Sequence, residues 1–242
     1  MEEMPPNASW FLRKAVAAFY AKRYRLARLL FLVKLLFQPR DYYTLCWYAN
    51  AQYFSGPTND HDAERNWRKA IRIDHDNALA HAGLGKMYHS NAMRISEGYR
   101  MFPGGSGVMF SDELDSNGPR ESGEVRIPGF ADAHCANRKV GVRELEFAAE
   151  LTDDVEDKVA LLTMAAQLHC LIDNRSAVSA YKKVLALDSH NEQARFDLAA
   201  CYAALGRKRQ AVEQYKALAE LNAELAPQLR DVLSRYGVAA PR

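Results

Sequence analysis

The chain has 242 residues, 48% of them hydrophobic and 26% charged, which is the composition of an ordinary globular protein of one large domain or two small ones. Its formal charge of +2, from 32 basic and 30 acidic residues, argues for no particular polyanionic partner. Four cysteines, Cys46, Cys135, Cys170 and Cys201, form no C-x-x-C pair, which excludes a zinc knuckle or a disulfide framework and reads as mostly buried thiols of a reducing compartment.

The N-terminus, MEEMPPNAS, lacks the charged-then-apolar pattern of a secretory signal, and residues 1–9 are expected to be disordered. A first helix is predicted from Trp10 to Tyr20 and a second in RLARLLFLVKLLFQP, up to Pro39. The apolar run LLFLVKLLF at 29–37 has nine residues and contains Lys34, whereas a membrane-spanning helix needs about 20, so a cytoplasmic location is expected. Residues 1–43 nevertheless hold eight Lys or Arg against three acids, a local +5. Next come WYANAQYF (47–54) and AERNWRKAIRID (63–74), two further helical segments. HAGLGKMY (81–88) begins another helix, and the chain then changes character over 96–138, a Gly-, Pro- and Ser-rich stretch with seven acids against four Arg. Helical patterning resumes with VGVRELEFAAEL (140–151). It continues through AVSAYKKVLAL (177–187), FDLAACYAALGR (196–207) and AVEQYKALAEL (211–221). Last is PQLRDVLSRYG (227–237), with Pro at a helix start, apolar residues at helical spacing and a glycine stop.

Two of these segments repeat. AVSAYKKVLAL and AVEQYKALAEL align without gaps, Ala177 with Ala211 and Tyr181 with Tyr215, at a separation of 34 residues. Leu198, Ala199, Tyr202 and Gly206 precede the second copy, and Leu84, Gly85 and Tyr88 repeat that spacing upstream. Trp47, Ala63, Trp67 and Ala70 fit the same pattern, and His81 lies 34 residues after Trp47. Small residues facing bulky ones at fixed places let two antiparallel helices approach closely. This pattern resembles the tetratricopeptide repeat family, over roughly 10–95 and 139–225. The resemblance implies an all-α, right-handed α-solenoid of antiparallel helix pairs: a degenerate repeat at 10–43, repeats at 44–77, 78–153, 154–191 and 192–225, and a capping helix and tail at 226–242. In the third repeat the second helix is displaced: Trp67 and Leu145 are 78 residues apart, 44 more than one period, so the insertion 96–138 is threaded through the turn of a complete pair.

The resemblance implies a concave groove lined by first helices. Its positions carry over to Tyr48, Gln52 and Ser55; Ala82, Gly83, Lys86 and His89; Leu162, Thr163, Ala166 and His169; and Phe196, Asp197 and Ala203. Of these, Tyr48, Gln52, Lys86, His89, Thr163, His169, Phe196 and Asp197 are the groove-binding candidates, with Tyr48 and Phe196 as aromatic anchors. The Lys, Asn and Arg of the family's carboxylate clamp are absent: Tyr48, Gln52, Gly83, Val159 and Thr163 stand there, which suits an apolar helix or extended segment with few charges. On the convex side, second helices normally carry charge outward, yet the first repeat places Leu29, Leu32, Val33 and Leu36 there. A register one residue off would turn Phe31, Leu32 and Leu35 outward instead. With Lys22, Arg23, Arg25 and Arg28 beside it, this face is predicted to dock a second protein, a membrane complex or an anionic membrane surface; self-association is an alternative, as is cover by the insertion.

No metal, cofactor or nucleic acid is expected. His89, His169, Cys170 and the pair His134–Cys135 match no ligand spacing, and the Asp/Asn clusters NDHDA and DHDNA precede helices, where they serve as N-caps. PGGSG within the insertion lacks the Lys and Ser/Thr of a phosphate loop. No Ser/His/Asp or Cys/His pair sits in a motif, so the chain is read as a non-catalytic interaction scaffold or adaptor, cytoplasmic and peripheral at the membrane where the basic apolar helix docks. The rival readings are a secretion-type chaperone for an apolar client, an enzyme, and an RNA-binding helical array.

Overall fold

The structure, a computed structural model, describes residues 9–56, 59–100 and 130–240, with the side chains of 95–100 and 130–135 left out of the account. Eleven helices and no strand occur among the described residues: α1 Trp10–Tyr20, α2 Tyr24–Phe37, α3 Tyr42–Tyr53, α4 Asp60–Ile73, α5 Ala78–Arg100, α6 Phe130–Leu151, α7 Val155–Cys170, α8 Asn174–Leu187, α9 Glu192–Ala204, α10 Lys208–Leu221 and α11 Ala226–Arg235. They form an all-α solenoid of antiparallel pairs, α1–α2, α3–α4, α5–α6, α7–α8 and α9–α10, each pair packed on the next.

Helix starts follow from local chemistry. Asp41, Asp154, Asp173 and Asn191 cap α3, α7, α8 and α9 with side-chain oxygens that accept backbone N–H bonds. In the cluster DHDNA it is Asn77 that works, its Oδ1 accepting from Ala80 N at 2.9 Å; in NDHDA, Asn59 occupies the cap of α4 but its side chain accepts no helix N–H, its Nδ2 donating back to Gly56 O at 3.3 Å. The turn between α9 and α10 passes through Gly206 at φ +70°, and Arg207 N closes it on Tyr202 O at 2.8 Å. The turn between α1 and α2 is the same device with Lys22 at φ +57° and Arg23 N on Ala18 O at 2.9 Å.

Packing within and between pairs rests on small-to-large contacts. A Cβ on Gly83 would lie 2.4 Å from the Trp67 indole, and one on Gly85 would lie 2.6 Å from Leu145 Cγ. The buried clusters follow one another along the array, from Phe31 and Trp47, through Trp67, Leu84 and Met87, then Leu145, Leu161 and Leu168, to Tyr181, Leu198, Tyr202, Tyr215 and Leu218. α11 packs on α9 and α10, where the first helix of another pair would stand, and buries Leu229 and Leu233.

The split pair differs from the expected boundaries. α5 continues to Arg100 and α6 begins at Phe130, so both helices run into the stretch assigned to the insertion 96–138. The Gly-, Pro- and Ser-rich composition that set those bounds stops neither helix at them. Residues 101–129, with PGGSG and the rest of that stretch, and residues 1–8 lie outside the described residues.

Candidate functional site

Which side of the array is concave follows from which helices touch. α1 meets α3, α3 meets α5, α5 meets α7, and α7 meets α9, whereas no second helix contacts another second helix among the described residues. The first helices are therefore crowded on the inside of a curve and the second helices splayed on the outside. Between α1, α3, α5 and α7 lies a cavity of about 220 Å³ whose lining includes Tyr20, Trp47, Leu79, Lys86, Asp157 and Leu161. Lys86 is exposed at its edge.

Further along, α5, α7 and α9 are joined by a polar chain. His89 Nε2 lies 2.7 Å from Gln167 Oε1, and Gln167 in turn bonds Asp197. Tyr181 of α8 donates its hydroxyl to Asp197 Oδ2 at 3.0 Å. The Cys170 thiol points to the Tyr181 oxygen at 3.7 Å and to the Cys201 sulfur at 3.2 Å. Burial shapes this chain: it lowers the His89 pKa against the opposing bond from Gln167. It raises the Asp197 carboxyl above the usual range despite the bonds from Gln193, Tyr181 and Gln167, and it pushes the Tyr181 phenol far up, helped by the Asp197 charge. The bond from Cys201 holds the Cys170 thiol below its ordinary value against desolvation, while Cys201, bonded to Cys170 and buried, is driven upward.

The expected groove residues separate accordingly. Lys86 stands exposed at the cavity, and His89 and Asp197 belong to the polar chain. Thr163 is partly buried and donates its hydroxyl to Val159 O at 2.8 Å. Tyr48 and Phe196 are half-buried against the clusters of their own part of the array. Gln52 needs correction: it is 4% exposed and its amide oxygen accepts from Asn66 of α4 at 2.8 Å, so it joins its own helix pair and is closed to a ligand. Ala166 and Ala203 are buried as well. His169 also departs from expectation. Two residues and about 200° further round α7 than Gln167, it stands 3.8 Å from Glu146 of α6 and does not join His89. Sequence reasoning missed Gln167, Tyr181 and the contact of Cys170 with Cys201. The last pair is 31 residues apart, one period less a helical turn, which places two residues side by side on successive first helices.

On the outer surface α2 is inverted. Leu29, Leu32, Leu36 and Phe37 are exposed, Leu36 at 73% and Phe37 at 82%, with Leu26 beside them and Val33 half-buried. Phe31 is fully buried, which selects the first of the two registers. Lys34, the one charge inside the apolar run, turns inward instead, its side chain 11% exposed and paired with Asp41 and Thr44 at the start of α3. Leu26 and Phe37 extend the exposed apolar residues of α2 beyond the four expected, and Trp10 and Phe11 of α1 are exposed as well. A second polar cluster ties α5 to α6: His81 Nδ1 is 2.5 Å from Glu144 Oε2, His81 Nε2 is 2.8 Å from His75 O, and Arg143 donates to Glu144 Oε1 at 2.8 Å. No helix among the described residues is long and apolar enough to cross a membrane, and no group of three or more His, Cys, Asp or Glu among them is placed to hold a metal ion.

Comparison with known proteins fits this geometry. Residues 173–236 match the tetratricopeptide repeat family. Among solved structures, two of the protein MamA superpose with TM-scores of 0.59 and 0.60 at 14% identity, covering 96% and 93% of this chain and 96% and 99% of theirs. YrrB, described as a TPR protein with an unusual peptide-binding site, superposes with a TM-score of 0.53 at 15% identity over 85% of this chain and 91% of its own. No curated protein sequence matches the chain. Residues 173–236 thus match tetratricopeptide repeats in sequence, and the chain as a whole shares its solenoid fold with these solved structures.

Proposed function

We propose that this protein is a non-catalytic scaffold that holds an apolar partner segment in the groove of its first helices and docks a second protein through the outer face of α2. The observation that carries the reading is the inverted polarity of α2, where leucines and a phenylalanine face solvent while the lysine faces the core. Such a face is the signature of a surface covered by a partner, because each Leu taken from water contributes about 1.5–3 kcal/mol. Lys22, Arg23 and Arg25, all exposed, favour an acidic partner, here a protein complex peripheral to a membrane. Binding in the groove is supported by its crowded inner layer, by the cavity beside Lys86, and by likeness in fold to YrrB, whose description names a peptide-binding site. Tyr48, Phe196, Thr163 and Lys86 are the groove residues offered to the segment, with His89 and Asp197 fixing the walls.

The experiment is affinity capture from the native host by the full chain and by a variant with Leu29, Leu32, Val33 and Leu36 changed to Ser. The variant should keep its helical circular dichroism and lose one specific acidic partner while retaining any partner of the groove. Flotation with vesicles containing anionic lipid is the companion arm. Equal partner recovery by both proteins, or binding to protein-free anionic vesicles that the four substitutions abolish, would overturn the reading of α2 as a protein-docking face.

A further inference from the structure

Cys170 is the last residue of α7 and Cys201 lies within α9, and their sulfurs stand 3.2 Å apart. Both thiols are free; Cys201 is buried and Cys170 is partly open to solvent. A disulfide needs its sulfurs at about 2.05 Å, so the pair is short of bonding by only roughly 1 Å, within the reach of a side-chain adjustment. The surroundings accept the change. At present the Cys170 thiol donates to the Tyr181 oxygen, and Tyr181 donates its own hydrogen to Asp197. Removing the thiol hydrogen leaves that second bond in place, so no buried donor loses its acceptor. Cys46 offers a contrast within the same chain: it is fully buried, and its thiol donates to Asn77 Oδ1 at 3.7 Å.

We propose that Cys170 and Cys201 form an oxidation site, at which a hydroperoxide converts the two thiols into an intramolecular disulfide that ties α7 to α9. Cys170, the solvent-facing partner, reacts first. Its sulfur attacks the terminal oxygen of the peroxide and the O–O bond breaks. The departing alkoxide or hydroxide takes the thiol proton, giving an alcohol or water and a sulfenic acid on Cys170. The Cys201 sulfur then attacks the Cys170 sulfur, the S–O bond breaks, and the hydroxide leaves as water with the Cys201 proton. Two thiols are oxidised by two electrons and one peroxide is reduced. The lowered pKa of Cys170 and the raised pKa of Cys201 agree with this order of attack. The bond would fix two successive first helices to each other beside the His89–Gln167–Asp197 chain, stiffening the inner wall of the array at that point.

The test treats the full chain with an equivalent of hydrogen peroxide, blocks remaining thiols and maps the peptides by mass spectrometry. Wild type should lose two thiols together, yield one linked peptide pair containing Cys170 and Cys201, and unfold at a higher temperature than the reduced protein. Cys201→Ser should stop at a sulfenic acid on Cys170 that dimedone traps, and Cys170→Ser should leave Cys201 unmodified at the same exposure. The proposal is overturned by a sulfinic acid on Cys170 with no linked pair in wild type, by disulfides formed only between chains, or by a linked pair whose oxidation leaves the unfolding temperature unchanged or lower.

Discussion

Gly85 offers a direct test that α6, beyond the inserted stretch, is the true second helix of the α5 pair. A methyl group at this position would lie 2.6 Å from Leu145 Cγ, 2.9 Å from Leu145 Cδ2 and 3.1 Å from the Leu145 backbone nitrogen. Leu145 is fully buried, so its side chain has no empty space to move into, and the backbone contact cannot be relieved by a rotamer change at all. Gly85→Ala gains about 1 kcal/mol of intrinsic helix propensity and meets an overpacking cost of about 1–3 kcal/mol. The cost wins, and a net loss of about 1 kcal/mol is expected, which for a chain of this size lowers Tm by roughly 2–4 °C. Thermal and urea unfolding followed by circular dichroism would read it. The decisive control is Leu145→Ala, which deletes the two closest carbons. That variant is itself less stable by about 2–5 kcal/mol, but within it Gly85→Ala should be neutral or stabilising, because of the three nearest contacts the two below 3.0 Å are gone and the 3.1 Å backbone one is left. An equal loss in both backgrounds, or a gain in the parent protein, would refute the claim that these helices are pressed together at Gly85.

Lys22 holds a left-handed conformation that Gly206 adopts in the equivalent turn, so Lys22→Gly should raise stability by about 1 kcal/mol in urea unfolding. Asp41 caps α3 through Thr44 N at 3.1 Å and is the partner of the inward-turned Lys34. Asp41→Ala should therefore cost about 2 kcal/mol or more in the same assay, removing a cap and stranding a buried ammonium. The His81–Glu144 pair predicts a pH dependence. Burial opposes both charges, but the bond between them and the His75 carbonyl raise the His81 pKa above 6.5, and the bonds from His81 and Arg143 lower that of Glu144 below 4.5. The His81 contribution is complete below pH 6.5 and is lost as pH rises through the folded value; that of Glu144 is present above pH 4.5 and is lost as pH falls through its folded value. Stability measured from pH 5 to pH 9 should thus fall on the alkaline side in the parent and fall less in His81→Gln.

The repeat itself was legible because close helix packing demands small residues at fixed places. Ala177 and Ala211 are fully buried, and Tyr181 and Tyr215 almost so, as a period of 34 requires. The outward face of α2 was legible for the same reason, since burying Ala27 and Phe31 leaves Leu29 and Leu36 on the far side. What the sequence hid depends on side chains reaching between helices. Gln52 looked like a groove residue from its position, yet the hydrogen bond to Asn66 decides its direction, and no spacing rule predicts that. His89 and His169 share a repeat position but meet different neighbours, Gln167 on one side of the array and Glu146 on the other. The ends of α5 and α6 were hidden too, because composition marks where Gly, Pro and Ser are frequent and not the residue at which a helix stops.

The polar groups of the inner layer are largely committed to one another, and this bears on what the groove would hold. His89 is bonded to Gln167, Asp197 to Tyr181, Thr163 to the Val159 carbonyl, and Gln52 to Asn66. A ligand that competed for any of these would break a bond already made in a partly dry setting, and the net gain of an exchanged hydrogen bond is near zero. Affinity must then come from area: Tyr20, Leu79 and Leu161 around the cavity and the open edges of Tyr48 and Phe196, with Lys86 and Asp157 supplying one charge of each sign at the cavity. A segment of few charges meets that requirement, and an acidic residue opposite Lys86 would set its register more than its strength. Lys86→Ala is accordingly expected to weaken binding of such a segment by less than about 1 kcal/mol, whereas truncating Tyr48 or Phe196 removes apolar contact and should cost about 2 kcal/mol or more. Isothermal titration with the captured segment would compare them, and the reverse order would mean that charge, not shape, selects the partner.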